Sequence, residues 1–124
     1  LTNSEWYVLD CLWERAPQTV TQLVPILKEK VGWAKSTTAT MVRRMEEKGL
    51  IRHEAGSKAR VYHPALSRDE TALAETRTLL EKAFDGSVGL LVNTLIQQNS
   101  LTQSDLDGLY EILRQAEEGE EGTK

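Results

Sequence analysis

The 124-residue chain carries 15 Lys and Arg against 19 Asp and Glu, a formal net charge of −4, with 40% apolar and 27% charged residues. That length sustains one domain, or one small domain with an appended module, and the composition is globular rather than disordered. No apolar run approaches the roughly 20 residues that cross a bilayer, no signal-peptide pattern opens the chain, and the single cysteine, Cys11, excludes an internal disulfide framework and suits a reducing cytoplasm.

Taken whole, a net −4 argues against nucleic acid as a partner. Taken by segment it does not. Residues 1–34 hold three basic and four acidic side chains, residues 35–68 hold eight against three (net +5), and residues 69–124 hold four against twelve (net −8). A basic middle and an acidic end point to polyanion binding by one part of the chain.

In chain order, Ser4 precedes Trp6, Leu9, Leu12 and Trp13 at helical spacing, which predicts an amphipathic helix over 5–15, broken by Ala16-Pro17-Gln18. Thr19-x-x-Gln22 has the form of a capping box, and Val20, Leu23, Val24 and Leu27 stripe a second helix. Pro25 fits badly there: either the helix is kinked, or it starts later with Pro25 in its first turn. Ser36 suits the N-cap of a third helix that stops at Gly49. On it Thr38, Met41, Val42 and Met45 share one arc; Ser36, Thr40, Arg43 and Glu47 lie opposite, with Thr37, Ala39 and Arg44 on the flanks.

Two short alternating runs follow, Leu50 to Ala55 and Arg60 to His63, joined by the four-residue loop Gly56-Ser57-Lys58-Ala59 and ended by Pro64. Ser67-x-x-Glu70 opens a helix through Ala83 with Leu73, Thr76, Leu80 and Phe84 on one side. Phe84 to Ser87 interrupts it. Val88, Leu91, Val92, Leu95 and Ile96 stripe another helix, and Thr102 caps a last one carrying Leu106, Leu109, Tyr110 and Leu113. The expected fold is mainly α with a small β-hairpin: a winged helix-turn-helix over 1–66, a helical dimerisation module over 67–116, and a flexible acidic tail over 117–124.

A winged helix reads double-stranded DNA by placing its third helix in the major groove and its hairpin against the backbone. Base edges need short or flexible hydrogen-bonding side chains. Lys35, Ser36, Thr37, Thr40, Arg43 and Arg44 supply them on the third helix, while Arg52, Lys58 and Arg60 at the hairpin would neutralise phosphates. Glu47 counts against a uniformly basic face. Catalysis finds little support: Cys11 lies in an apolar helix and reads as a buried structural thiol, and no phosphate-cradling glycine loop, paired-carboxylate arrangement or cofactor motif emerges. His53 and His63 could face each other across the hairpin, but two histidines without a cysteine cluster make a poor zinc site.

Leu73, Leu80, Phe84, Leu91, Leu95, Leu106, Leu109 and Leu113 offer more apolar surface than three short helices bury alone. They pack back on the winged helix or against a second copy. A two-fold homodimer would set two reading heads about one DNA turn, roughly 34 Å, or a multiple of it, apart. A winged helix used for protein contacts, and a metal-responsive regulator using His53, His63 or Cys11 with carboxylates, are the alternatives.

Over nearly its whole length the chain resembles the penicillinase repressor family. The resemblance rests on Glu5-Trp6-x-Val8-Leu9 with Leu12-Trp13, on the run from Trp33 to Met45, on Lys48-Gly49-Leu50-Ile51, on Val61-Tyr62 and on Leu109-Tyr110-Glu111-Ile112-Leu113. It implies a homodimeric bacterial repressor that blocks transcription from an inverted-repeat operator. It further implies release through a membrane sensor-protease system that detects a β-lactam and leads to cutting between an Asn and a Phe. The matching pair here is Asn93-Thr94, whose second residue departs from the pattern. The paired Cys-x-Cys motifs of copper-responsive relatives do not occur in this sequence.

Overall fold

The computed structural model describes residues 1–55 and 58–122. Gly56 and Ser57 of the expected loop, and the last two residues of the expected tail, lie outside the described residues. Six helices and one hairpin follow in order: α1 (Asn3–Glu14), α2 (Val20–Val31), α3 (Lys35–Glu47), β1 (Ile51–Ala55), β2 (Arg60–Pro64), α4 (Arg68–Ala83), α5 (Val88–Gln97) and α6 (Gln103–Gly122). They form two compact units, Leu1–Thr76 and Arg77–Lys124.

In the first unit, α1 starts two residues earlier than its apolar spacing suggests. The cap is Thr2, not Ser4: Thr2 Oγ1 accepts from Glu5 N, and the Glu5 carboxylate accepts from Thr2 N. Helix α2 settles the alternatives posed by Pro25. It begins after Thr19, whose reciprocal hydrogen bonds with Gln22 close a capping box, and Pro25 sits inside it on an exposed position. The i−4 carbonyl left without its donor belongs to exposed Thr21. Gly32, at φ +73°, ends the helix in the left-handed conformation.

Helix α3 starts at Lys35 after Ala34, with no side-chain cap, so Ser36 is a first-turn residue rather than the expected N-cap. The expected buried arc is present. Thr38, Val42 and Met45 are buried, with Met41 half-buried beside them. The core gathers Val8, Leu9, Cys11 and Leu12 from α1, Leu23 and Leu27 from α2, Val42 and Met45 from α3, and Ile51 and Tyr62 from the hairpin. Each fully buried aliphatic side chain contributes about 1.5–3 kcal/mol relative to exposure, which is what clamps three short helices together.

The hairpin pairs antiparallel with Arg52 opposite His63, His53 opposite Tyr62 and Ala55 opposite Arg60. Opposed residues share a face and neighbours alternate. His53 and His63 therefore lie on opposite faces and do not face each other, contrary to the sequence-based expectation. Tyr62 also exchanges backbone hydrogen bonds with Gln18, at 2.8 and 3.2 Å, and the buried Gln18 amide donates to the carbonyls of Cys11 and Arg15 at the end of α1. One glutamine thus ties the base of the wing to the helix it packs on.

In the second unit, Asp85 at φ +49° and Gly86 at φ +77° make the break between α4 and α5. Ser87 caps α5, and Thr102 and Asp105 exchange hydrogen bonds at the start of α6. Helix α6 runs on to Gly122, through most of the stretch expected to be a flexible tail. Among its described residues, α5 and α6 bury none.

Candidate nucleic-acid interface

Burying Thr38, Val42 and Met45 fixes the roll of α3, and the opposite arc is turned outward by the helical period alone. Lys35, Ser36, Thr37, Arg43 and Arg44 are exposed and Thr40 is half-buried. Ser36, Thr37, Thr40, Arg43 and Arg44 fall on the arc opposite the buried one, whereas Lys35, in the first turn, falls outside that arc. Ser36, Thr37, Thr40, Met41 and Arg44 line a shallow depression of about 230 Å³. Because no side chain caps α3, its first-turn N–H groups remain open to an acceptor from outside the helix.

Glu47 qualifies that surface. Its carboxylate lies 3.5 Å from the Arg43 guanidinium, one turn away, with both side chains about two-thirds exposed. Arg44 makes no ion pair among the described residues, so the two arginines are not equivalent.

The wing divides its three candidate cations. Arg52, on the face shared with Glu54 and His63, is 3.3 Å from the Glu54 carboxylate, which also lies 2.8 Å from His63 Nε2. Lys58 and Arg60 are exposed and make no ion pair among the described residues. On the other face His53 contacts Glu46 of α3 and packs edge-on to Tyr62, with ring centroids 6.1 Å apart. Each histidine thus has its own carboxylate. No group of three or more His, Cys, Asp and Glu side chains is placed to hold a metal among the described residues. Burial pushes the Cys11 thiol up from its ordinary pKa, away from the thiolate a nucleophile or metal ligand needs.

Sequence reasoning missed two residues that support this surface. Lys48, the C-cap of α3, donates to the buried carboxylate of Glu5 at 2.8 Å. Gln18 anchors the wing as described. Both partnerships cross long stretches of chain, and only the Thr2-x-x-Glu5 spacing carried a local signal.

Of the residues assigned to dimerisation, Leu80, Phe84, Leu91, Leu95, Leu106 and Leu109 are half-buried, while Leu73 and Leu113 are 51% and 60% exposed. Tyr110 and Ile112, at 73% and 62%, extend the exposed apolar surface of α6. Between α5 and α6 runs a groove of about 440 Å³ lined by Val92, Leu95, Leu101, Leu109 and Ile112 among others. Asn93 and Thr94 lie in the interior of α5, Asn93 exposed and the Thr94 hydroxyl donating to the Leu90 carbonyl at 2.8 Å.

Three helices, a hairpin wing and an outward arc of hydroxyl and guanidinium groups define a winged helix-turn-helix regulator. A family model described as penicillinase repressor matches residues 1–115. The chain belongs to the penicillinase repressor family. The penicillinase repressor of Bacillus licheniformis is 20% identical over 115 residues, covering 93% of this chain and 90% of that protein. The transcriptional regulator BlaI of Mycobacterium tuberculosis is 35% identical over 86 residues, covering 68% and 62%. The solution structure of the Bacillus licheniformis BlaI monomeric form in complex with the blaP half-operator matches with a TM-score of 0.51 at 21% identity, covering 56% of this chain and 85% of that one.

Proposed function

We propose that the chain is a homodimeric transcriptional repressor that binds an inverted-repeat operator through α3 and the hairpin wing. One observation carries the reading: core packing fixes α3 so that Ser36, Thr37, Thr40, Arg43 and Arg44 share its outward arc. Laid in the major groove, arginine forks onto guanine, and threonine offers a hydroxyl to a base edge or a methyl to thymine. Lys58 and Arg60 reach phosphates beside the groove. The exposed apolar groups of the second unit favour a second copy as their cover, since patches of this kind on a soluble chain mark association surfaces and closed two-fold pairs are the commonest arrangement. Bound across a promoter, such a dimer blocks transcription by occupancy. If release runs through cleavage at Asn93-Thr94, α5 must first unwind, because a protease takes its substrate extended.

The test is a gel shift against inverted-repeat DNA selected by the wild-type chain. Arg43→Ala and Arg44→Ala should each weaken binding by about 1–3 kcal/mol if they reach base edges. A phosphate-contacting Lys58 would instead lower the salt slope by about one on substitution. Unchanged affinity in both arginine variants overturns the assignment of α3 as the reading helix.

A further inference from the structure

The two strands of the wing are tied to the helices at one level and from two sides. On β2, Tyr62 is 7% exposed and exchanges backbone hydrogen bonds with Gln18, whose buried amide donates to the end of α1. Directly opposite on β1, His53 contacts the Glu46 carboxylate of α3 through Nδ1, the ring nitrogen donating because a carboxylate can only accept. The imidazole also packs edge-on to the Tyr62 ring, so one opposed pair carries both ties. Glu46 follows buried Val42 by one turn and so sits at the margin of the packed face of α3, not on its outward arc. All of these residues belong to the first compact unit, Leu1–Thr76.

Between Ile51 and Tyr62 no described residue is buried, so the outer part of the wing has no core of its own. Two strands alone are marginally stable in water, and a ribbon held at a single strand can turn about it. Holding the second strand removes that freedom. Arg60, opposite Ala55, lies two residues past the tied pair, about 7 Å further out at the rise of a β-strand, and Lys58 lies beyond it. A swing of about 20° at the tied pair carries that position by about 2 Å. A charge-assisted hydrogen bond, about 2.7–2.9 Å long, survives such a shift only if the side chain follows, and the cost of ordering it then falls on binding.

We infer that His53 and Glu46 are a positioning pair: by holding β1 to α3 they fix where the wing's cations stand relative to the reading helix, so that Lys58 and Arg60 meet phosphates while α3 lies in the groove. The inference rests on the reading of α3 and the wing as the DNA surface given above. A wing set in advance loses no binding energy to ordering its cations. Contact of His53 itself with DNA is not required. The base-reading groups of α3 keep their places without the pair, because burial of Thr38, Val42 and Met45 holds that helix.

The experiment uses the full chain and a duplex carrying one half-site of the operator that the wild type selects from a randomised library, so that one wing is counted. Affinity and its logarithmic salt slope are measured with and without Lys58→Ala combined with Arg60→Ala, in the wild type and in His53→Leu. In the wild type, removing the two cations should weaken binding about tenfold and lower the slope by about two. In His53→Leu the same removal should cost about threefold or less and lower the slope by less than about one. Discrimination against a changed base in the half-site should stay within about twofold of the wild type, since bases are read by α3. His53→Gln, whose amide can still donate to Glu46, should restore most of the tenfold effect. Glu46→Ala, judged by the same ratio, serves as the second variant where His53→Leu folds poorly. A tenfold effect retained in both His53→Leu and Glu46→Ala, or no recovery in His53→Gln, overturns this inference alone. A wild type indifferent to the loss of both cations overturns the phosphate-contacting role of the wing with it.

Discussion

Lys48 looks like an expendable surface lysine, with 59% of its side chain exposed, yet its partner Glu5 is only 5% exposed. Glu5 holds two jobs: one carboxylate oxygen closes the α1 capping box on Thr2 N at 2.9 Å, the other receives Lys48 Nζ at 2.8 Å. The pair also joins a negative group at the N-terminal turn of α1 to a positive one at the C-terminal end of α3, favourable to both helix dipoles. A charge-assisted hydrogen bond contributes about 1.5–3 kcal/mol, and the exposure of Lys48 argues for the lower end. Lys48→Met should therefore cost about 1.5 kcal/mol. Glu5→Ala, which also loses the cap worth about 1 kcal/mol, should cost about 2.5 kcal/mol. On a unit of this size those losses correspond to falls in Tm of about 6–12 and 10–20 °C. Urea denaturation followed by circular dichroism, run on both single variants and the double variant, should give a coupling of about 1–1.5 kcal/mol at neutral pH. The Lys48 hydrogen bond first, and then the Thr2 N–H, hold the Glu5 carboxyl below its ordinary pKa of 4.5. A folded-state pKa below the unfolded one means the contribution is fully present above about pH 4.5 and is lost as pH falls through the depressed folded value. The coupling should accordingly fade in acid. A coupling below about 0.5 kcal/mol at neutral pH, or one indifferent to acid, would show the pair to be an ordinary surface contact and refute the reasoning.

Two further substitutions probe α3 from its two faces. Thr38 is fully buried and its hydroxyl has no hydrogen-bond partner among the described residues, so Thr38→Val should remove a desolvation cost and raise stability by about 1 kcal/mol, seen as a rise in Tm; a fall would mean the hydroxyl is satisfied. On the outer face, Glu47→Gln releases Arg43 from its ion pair and removes a negative charge from the proposed reading surface. Stability should move by less than about 0.5 kcal/mol, while DNA affinity rises severalfold and its logarithmic salt slope steepens by about one. A salt slope identical to the wild type would place Glu47 and Arg43 away from the phosphates.

The helix-helix-helix-hairpin order, the buried arc of α3 and its outward hydroxyl and guanidinium groups were readable in the sequence, because helical period and hairpin alternation are local signals. Boundaries failed where two local signals competed. Ser4 and Ser36 are good capping residues, but Thr2 closes a box with Glu5 that Ser4 cannot, and the chain enters α3 one residue before Ser36 could act. Pairing failed where it depended on register: both histidines sit on the hairpin, and one residue of phase puts them on opposite faces. The Glu5–Lys48, Trp13–Leu66 and Arg68–Asp10 contacts span 43, 53 and 58 residues, beyond any periodic signal. Within the acidic stretch 117–124, residues 117–119 are exposed, and α6 continues through it to Gly122 along a run rich in glutamate, a good helix former.

The absence of buried residues from the described parts of α5 and α6 divides the chain into two thermodynamic regimes. The winged unit has its own sealed interior, so its unfolding is a property of one molecule and does not depend on dilution. Helices that only half-bury their apolar side chains within their own chain gain little from packing and are marginal by themselves, so if the second unit pairs with a second copy as proposed, its order should vary with how much of the protein is present. On that proposal, a melting temperature for the whole chain should be quoted with the protein concentration at which it was taken.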